Sequence, residues 1–515
     1  MRATIENIKI REKLRGRRKI FTSHKVITKD NLLDVLTKAK STHLLNVAEM
    51  NFLIDYERGN QPLLRDKIIR PEIDIEVNSN LANYIKEFKI GYVWSSPAML
   101  VQRGNQEMHE TSSDSDDSGI NALNESLING SNMGRLEQSM AEFVEICGIG
   151  HRMVDVKSSD WEDGQLAEIY TLDSRYAFNV YWNGPGQKKV LSVSYYEDDV
   201  DDKTYFTCIT DDMRYEVVND EIVDMMPNPL GKCSIVEYER TFDRTGCFER
   251  EIPRMDSLNI LLSDFTNDVA QRTQEVWWGD NIDFKQDEKG NRIEPQSGDW
   301  VLTYSGEGKT AKIQPLSSSF DGSSTLNAIS SARNEILQDC KVPIQYDSAG
   351  GGSTGTAMDM GSGWSATELD AMKEQQMIEA GKREELDLII RAIQKVPERI
   401  LPLDDPIRSV HLTDVNFHFT RRKSLDMSIK ANTFSTYFNA GVHPRHILQA
   451  VDAFPDNEQV YLDSKDMFDA LQKKMVSDTS MENTDDAANT SSDPINQIGQ
   501  SPLLDGMNTD RSTVV

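Results

Sequence analysis

The chain has 515 residues, 38% of them hydrophobic and 27% charged, with a formal net charge of −28. That length holds roughly two to four compact units with sizeable cores, and a pI near 4.7 excludes a protein that grips a phosphate backbone over its whole surface. At a mean hydropathy of −0.53, no run approaches the roughly eighteen apolar residues of a membrane helix and no signal-peptide core is present, so no membrane contact is expected.

The basic N-terminus is the exception to this charge balance. Arg2, Lys9, Arg11, Lys13, Arg15, Arg17, Arg18, Lys19 and Lys25 form an arm over residues 1–28, read as solvated and partly disordered, with docking to an acidic partner or nucleic acid as the sharper reading. A helical pattern follows from Lys29 to Arg58, then a polar linker, a helix over Leu81–Tyr92, the stretch Gly91–Val101, which turns into a strand, and a polar loop over 102–118. Helices are expected at about 119–129 and 134–147. Residues 150–250 change to short β-branched and aromatic segments separated by turns, which predict an antiparallel β unit.

The centre of the chain reads as helix, insert, helix, glycine-rich loop, long helix. Leu258, Leu261, Leu262, Phe265, Val269 and Val276 keep helical spacing over Arg254–Trp277, with Asp256, Asp264, Asp268 and Glu275 on other faces. The insert Gly279–Gly322 carries strand-like pieces at Ile282–Phe284 and Trp300–Tyr304. A second helix starts at Ser323 or Ser324 and stops before Pro343. Asp347–Gly363 is glycine-rich and has no helical period. The third helix opens on Ser365-Ala-Thr-Glu368, which has the form of a capping box, and its apolar positions run from Leu369 and Met372 to Ile393. Gly381 in its middle suggests a bend. Val415, Phe417 and Phe419 then alternate as a strand. Helices near 424–440, 444 onward and 457–475 close the ordered chain, and an acidic, apolar-poor tail covers 476–515.

Motifs for chemistry fail on context. Gly350-Gly-Gly352-Ser-Thr-Gly355 fits G-x-G-x-x-G, but a helix precedes it where a dinucleotide site needs a strand. Gly308-Lys-Thr310 resembles the tail of a phosphate loop whose first glycine is replaced by Thr303. Asp114, Asp116, Ser118 and Glu125 have calcium-loop spacing, but no helix leads in and Asn121 replaces an apolar packing residue. His443 and His446 lack an acidic or cysteine partner nearby in sequence, and Trp277-Trp278 is read as a protein contact or a buried pair. The cysteines, 147, 208, 233, 247 and 340, are odd in number with no C-x-x-C pair, and read as free thiols in a reducing cytoplasm. No catalytic, cofactor or metal site is expected.

The order of elements over about 30–475 resembles the bacteriophage portal protein family, most of all the portals of long-tailed phages of Gram-positive hosts. The stretches that carry the resemblance are Gly350-Gly-Gly-Ser-Thr-Gly355 before the long helix, the strand end Phe419-Thr-Arg-Arg-Lys423, and the helix–turn–helix through Ala440-Gly-Val-His-Pro444. The resemblance implies an α+β portal fold assembling as a dodecameric ring. A wing of helices followed by antiparallel β spans 29–253, and stem helices at 254–278 and 323–346 flank a small α/β clip at 279–322. A tunnel loop at 347–363 precedes a long wing helix and returning strand at 364–423, and a helical crown spans 424–475.

Asp347, Ser348, Gly350, Gly351, Gly352, Ser353, Thr354 and Gly355 would then face DNA, with Lys341 beside them. Lys285, Lys289, Arg292, Trp300 and Lys309 would offer a clip surface to partners. The implied role is a ring at one capsid vertex of the virion, assembled in the host cytoplasm. It would conduct double-stranded DNA during packaging and ejection, with no enzymatic activity of its own. Implied partners are other copies of the chain, the major capsid protein, scaffold, the terminase large subunit and a head-completion adaptor. The alternatives are a nucleotide-binding enzyme built on the 350–355 loop and a virion adaptor that forms no ring.

Overall fold

The computed structural model describes residues 14, 16–63, 73–102, 118–159, 161, 164–198, 200–272, 277–280, 289, 310, 312–315, 322–344, 363–419, 427–451, 454, 460–461, 463–468 and 470–471. Two compact units divide the chain, Met1–Arg422 and Lys423–Val515.

In the first unit, helix α1 (Lys29–Glu57) packs the apolar side of its first half, Leu32, Val35 and Leu36, on a six-stranded sheet. The strands are β1 (Ile20–Thr22), β5 (Ala177–Trp182), β6 (Lys189–Asp198), β7 (Lys203–Ile209), β8 (Met213–Val218) and β9 (Glu221–Pro227), adjacent in that order. The ladder from β5 to β9 is antiparallel, as the alternation of β-branched and aromatic residues predicts. β1 joins its edge in parallel, Ile20 opposite Val180. Three further strands, β3 (Ile149–Asp155), β4 (Glu168–Leu172) and β10 (Ile235–Glu239), form a separate antiparallel sheet in the order β10-β3-β4. The expected single β unit is therefore two sheets.

The reading of residues 1–28 as a solvated arm fails at its C-terminal end. The Arg17 side chain is fully enclosed, with Nη2 2.6 Å from Glu249 and Nε 3.2 Å from Glu49. Arg18 also reaches Glu49, and Lys19 reaches Glu239. These basic residues meet acids of their own chain because burial of a guanidinium is tolerated only with such compensation.

Helix α2 (Leu81–Val93), strand β2 (Met99–Gln102), helix α3 (Ser118–Glu125), a π-helical turn (Ser126–Gly130) and helix α4 (Met133–Cys147) follow the predicted order. β2 pairs antiparallel with β13 (Val415–His418), which closes the unit. Helices α5 (Ile252–Arg272) and α6 (Gly322–Asp339) flank the insert. The first of these is described as far as Arg272, and Trp277-Trp278, expected at the end of the helix, lies in a strand, β11 (Trp277–Asp280). β11 pairs antiparallel with β12 (Lys312–Pro315). The predicted strand pieces at 282–284 and 300–304 lie outside the described residues.

Helix α7 (Trp364–Ile393) is the spine of this unit. Its N-cap is Gly363, at φ +87°, and the Ser365–Glu368 capping box does not form. Glu368 is instead an acceptor for the Tyr92 hydroxyl. Of the predicted apolar positions, Leu369 and Met372 are exposed while Leu386 and Ile393 are buried, alongside Thr367, Ala371, Glu374, Ile378, Lys382, Glu385 and Ile389. These positions recur every three to four residues, so the face is helical in phase but partly ionic in chemistry. Arg152 Nη1 lies 2.8 Å from Glu385, Lys382 Nζ 2.5 Å from Glu137, and Lys89 Nζ 2.6 Å from Asp370. Burial alone would raise the Glu385 carboxyl, but the Arg152 and Lys382 charges hold it down at about 2. Glu374 has the opposite fate: burial and the neighbouring Glu145 charge push its carboxyl well above the usual range, despite Arg240 at 3.5 Å.

The helix α7 continues through Gly381. A Cβ there would stand 2.7 Å from Cδ1 of Tyr238, so glycine lets the helix lie directly on that ring. In the second unit, α8 (Met427–Asn439), α9 (Pro444–Val451) and helical residues near 460–471 gather Phe434, Phe438, Phe468, Tyr461 and His443.

Gly381→Ala forces Tyr238 or α7 to shift and is expected to lower stability by about 1–3 kcal/mol, measured by urea unfolding. The Glu374 carboxyl holds its proton more tightly in the folded than in the unfolded chain. Its contribution is therefore complete below the ordinary carboxyl value of 4.5 and fades as pH rises through the raised one. Glu374→Gln, neutral at every pH, is expected to gain on the parent chain between pH 5 and pH 9 in unfolding midpoint; parallel curves would contradict the shared-charge assignment.

Candidate functional site: a helical hairpin and the base of a loop

α5 and α6 run antiparallel. Arg254 at the start of α5 pairs with Asp339 at the end of α6, and Trp277 pairs with Pro315 in the β11–β12 ribbon beyond the other ends. Leu258, Ile336, Leu337 and Cys340 are buried where the hairpin joins the core formed with α1 and α2, with Leu262 and Ile329 packed against it.

Along α5 the buried stripe is polar. Asp256, Asn259, Ser263 and Asn267 are buried, while Val269 is exposed. Asp256 accepts the Tyr56 hydroxyl (2.8 Å), and the predicted polar linker supplies partners for the other three: residues 73–79 run along the helix. Ile75 N donates to Asn267 Oδ1 (2.8 Å), Val77 N to Ser263 Oγ (2.9 Å) and Ser79 N to Asn259 Oδ1 (3.1 Å). Four helical residues rise about 6 Å and two extended residues about 6.6 Å, so every fourth side chain meets every second amide. A helix face thus does the work of a neighbouring strand.

At its C-terminus α6 closes with Lys341 N donating to Gln338 O (3.0 Å) and Val342 N to Leu337 O (2.8 Å). Lys341 itself lies in the left-handed region at φ +57°, where a Schellman-type stop ordinarily takes glycine. Its ammonium reaches the Gln338 carbonyl at 3.4 Å, which suits a cation at a helix C-terminus. The Lys341 carbonyl accepts the Thr367 hydroxyl at 2.9 Å, and the same hydroxyl lies 3.3 Å from Gly363 O. Thr367 thereby ties the end of α6 to the start of α7. The segment 345–362 leaves from and returns to one clamped base.

Of the residues singled out from sequence, Lys341 is therefore placed at this base. Asp347, Ser348, Gly350, Gly351, Gly352, Ser353, Thr354 and Gly355 lie outside the described residues, as do Lys285, Arg292, Trp300 and Lys309. Lys289 is an exposed turn residue. The calcium-like spacing at 114–116 and the Gly308-Lys309 pair also fall outside them.

Sequence reasoning missed one constellation. Ser174 Oγ lies 3.0 Å from His151 Nδ1, and His151 Nε2 lies 3.5 Å from Glu237. All three are buried, and Arg244 takes up the Glu237 carboxylate. A serine sealed in this way has no access to substrate, and the arrangement serves the interior. The five thiols are free and buried, and burial pushes those of Cys147, Cys233 and Cys340 up to about 12, which removes their reactivity at neutral pH. His443 accepts the Arg445 amide at its helix start (3.3 Å), and no group of three metal-binding side chains occurs among the described residues.

Thr367→Val removes the hydroxyl that joins the two ends of the loop and leaves the Lys341 carbonyl short of a donor. The expected loss is about 1–2 kcal/mol, measured by urea unfolding, with Thr367→Ser retaining most of the parent value.

The family model described as phage portal protein, SPP1 Gp6-like, matches residues 42–482. Among individual curated proteins, none matches the chain. The match takes in both sheets' β3–β10 strands, the helical hairpin, the clamped loop base and α7–α9. The chain belongs to the SPP1 Gp6-like phage portal protein family.

Proposed function

We propose that this portal protein forms a closed ring at one capsid vertex and conducts double-stranded DNA through it, without catalysis of its own. The observation that carries the reading is the hairpin of α5 and α6, whose far end continues into a two-stranded ribbon and whose near end holds both feet of a glycine-rich loop. In this reading α5 and α6 are the stem, the insert around β11 and β12 is the clip, and the 347–363 loop faces the channel. Residues 29–253 with α7 and β13 make the wing, and 424–475 the crown. Lys285, Lys289, Arg292, Trp300 and Lys309 belong to the clip surface that meets the packaging motor and later the head-completion adaptor.

Two properties support it. The chain exposes apolar side chains on its helices, among them Val269, Leu326, Leu369 and Met372, which suits burial against neighbouring copies in a head-to-tail ring. The exposed positions of α6 are largely hydroxyl, amide and small residues (Ser323, Ser324, Asn327, Ser330, Ser331, Gln338). With the chain at −28, such a surface makes few counterion-releasing phosphate contacts, so DNA slides rather than sticks.

Electron microscopy with mass measurement tests the ring: particles of roughly 700 kDa, twelve times 58.3 kDa, with a central hole are expected. Monomers under every assembly condition would overturn the reading. Deleting Gly350–Gly355 is expected to leave rings intact while DNA packaging stalls; loss of folding would make that stretch a structural turn.

A further inference from the structure

The geometry points to the outer edge of β9 as the seat of the basic N-terminal arm of a neighbouring copy, added as a seventh strand. The inference rests on the ring reading above and assigns it a contact.

β9 ends the six-stranded sheet, and six of its seven residues are exposed. Val223 is 60% accessible, Met225 43% and Met226 40%. Met225 stands opposite Tyr215 and Met226 opposite Arg214, so the two take opposite faces, and Val223 sits at a bulge between Ile222, which packs on the core, and Asp224. Glu221, Asp224 and Pro227 are residues that guard an edge against indiscriminate pairing. They do not account for three bare apolar side chains. An edge of this kind, with no strand on its outer side among the described residues, is the template for strand addition.

Charge selects the occupant. Asp198, Asp201, Asp202, Asp220, Glu221 and Asp224 stand on β9 and the two turns at its N-terminal end, and Lys203, 3.5 Å from Asp201, is the basic residue among them. In a chain at −28, the basic stretch that matches is its own N-terminus: Arg2, Lys9, Arg11, Lys13 and Arg15 against Glu6 and Glu12. Ile8-Lys9-Ile10-Arg11 alternates with period two, so an extended arm offers Ile8 and Ile10 to the face of Met225 while Lys9 and Arg11 meet Asp224 on the other face.

Reach selects the neighbour. The arm joins the sheet through β1, at the opposite edge from β9, about 24 Å away across five strand spacings. Residues 10–14 span at most about 14 Å, and Leu14 is packed against the core of α1, α5 and α6 rather than the face of the six-stranded sheet. An arm leaving the β1 edge of one copy and landing on the β9 edge of the next is a head-to-tail contact, the kind that closes into a ring.

Disulfide trapping tests this in full-length protein, because all five native cysteines are buried and stay out of the reaction. Ile8→Cys in one chain is mixed with Val223→Cys or Met225→Cys in another, so that either direction of the added strand is scored, and rings are oxidised after assembly. A linked pair at twice the chain mass is expected from the mixture, and a ladder of linked chains when both substitutions share one chain. A link confined within single chains would overturn the assignment to a neighbour. Rings that assemble with no link in any combination would overturn the contact and leave the portal reading intact, whereas parent protein that never forms rings would sink both. Lys9→Glu with Arg11→Glu is expected to weaken assembly at least tenfold in midpoint concentration, and Glu221→Lys with Asp224→Lys likewise. Mixing the two variants is expected to restore it, since alternating copies then meet with opposite charges at every contact; failure of the mixture to recover would count against charge as the selector.

Discussion

Everything in the first unit is arranged around the ionic face of α7. Arg152 and Lys382 hold Glu385 and Glu137, and Arg240 and Lys89 hold Asp370, Glu145 and Glu374. The groups come from several elements: α2, α4, β3, α7 and the residue that follows β10 all contribute. Removing one member of a buried pair strands its partner and costs about 3–5 kcal/mol, so these elements have little freedom to drift relative to one another. Apolar contact alone would tolerate sliding. Ion pairs with fixed hydrogen-bond geometry specify a register, and Gly381 on Tyr238 allows the helix close enough for them to form.

The same logic runs through α5. Its polar stripe is matched, amide by amide, to an extended segment that would otherwise need a sheet. This leaves apolar residues of α5, α6 and α7 on the outside. A chain with a polar interior seam and apolar exterior positions suits a part of a larger assembly better than a solitary globule. Ser174, His151 and Glu237 are near one another because buried polar groups require partners, and their side chains are sealed in the interior.

The loop base shows how a long excursion is controlled. α6 stops at a lysine in a left-handed conformation, α7 starts at a glycine in the same region, and Thr367 bridges the two. Fixing both ends removes much of the entropy that an 18-residue segment between them would have to lose in any functional placement.

By itself, the sequence determined the order of helices and strands, the turn-rich β region, the helix–insert–helix arrangement and the glycine-rich stretch before the long helix, because these rest on periodicity and on turn chemistry that act locally. That order was enough to point to portal proteins, and the match over residues 42–482 agrees. Local signals failed where distant partners decide. Arg17 looked like part of a solvated arm until Glu49 and Glu249 were brought to it, and Ser365–Glu368 had the spacing of a capping box although the helix begins two residues earlier. On α5 and α7 apolar spacing picked out only part of the buried face: Leu258, Leu386, Ile389 and Ile393 are inside but Val269, Leu369 and Met372 are not, since a charged or amide side chain is as welcome inside as leucine once a partner meets it there. Only the tertiary structure supplies those partners, and those that meet the α5 and α7 faces from other elements come from 130 to 281 positions away in the chain.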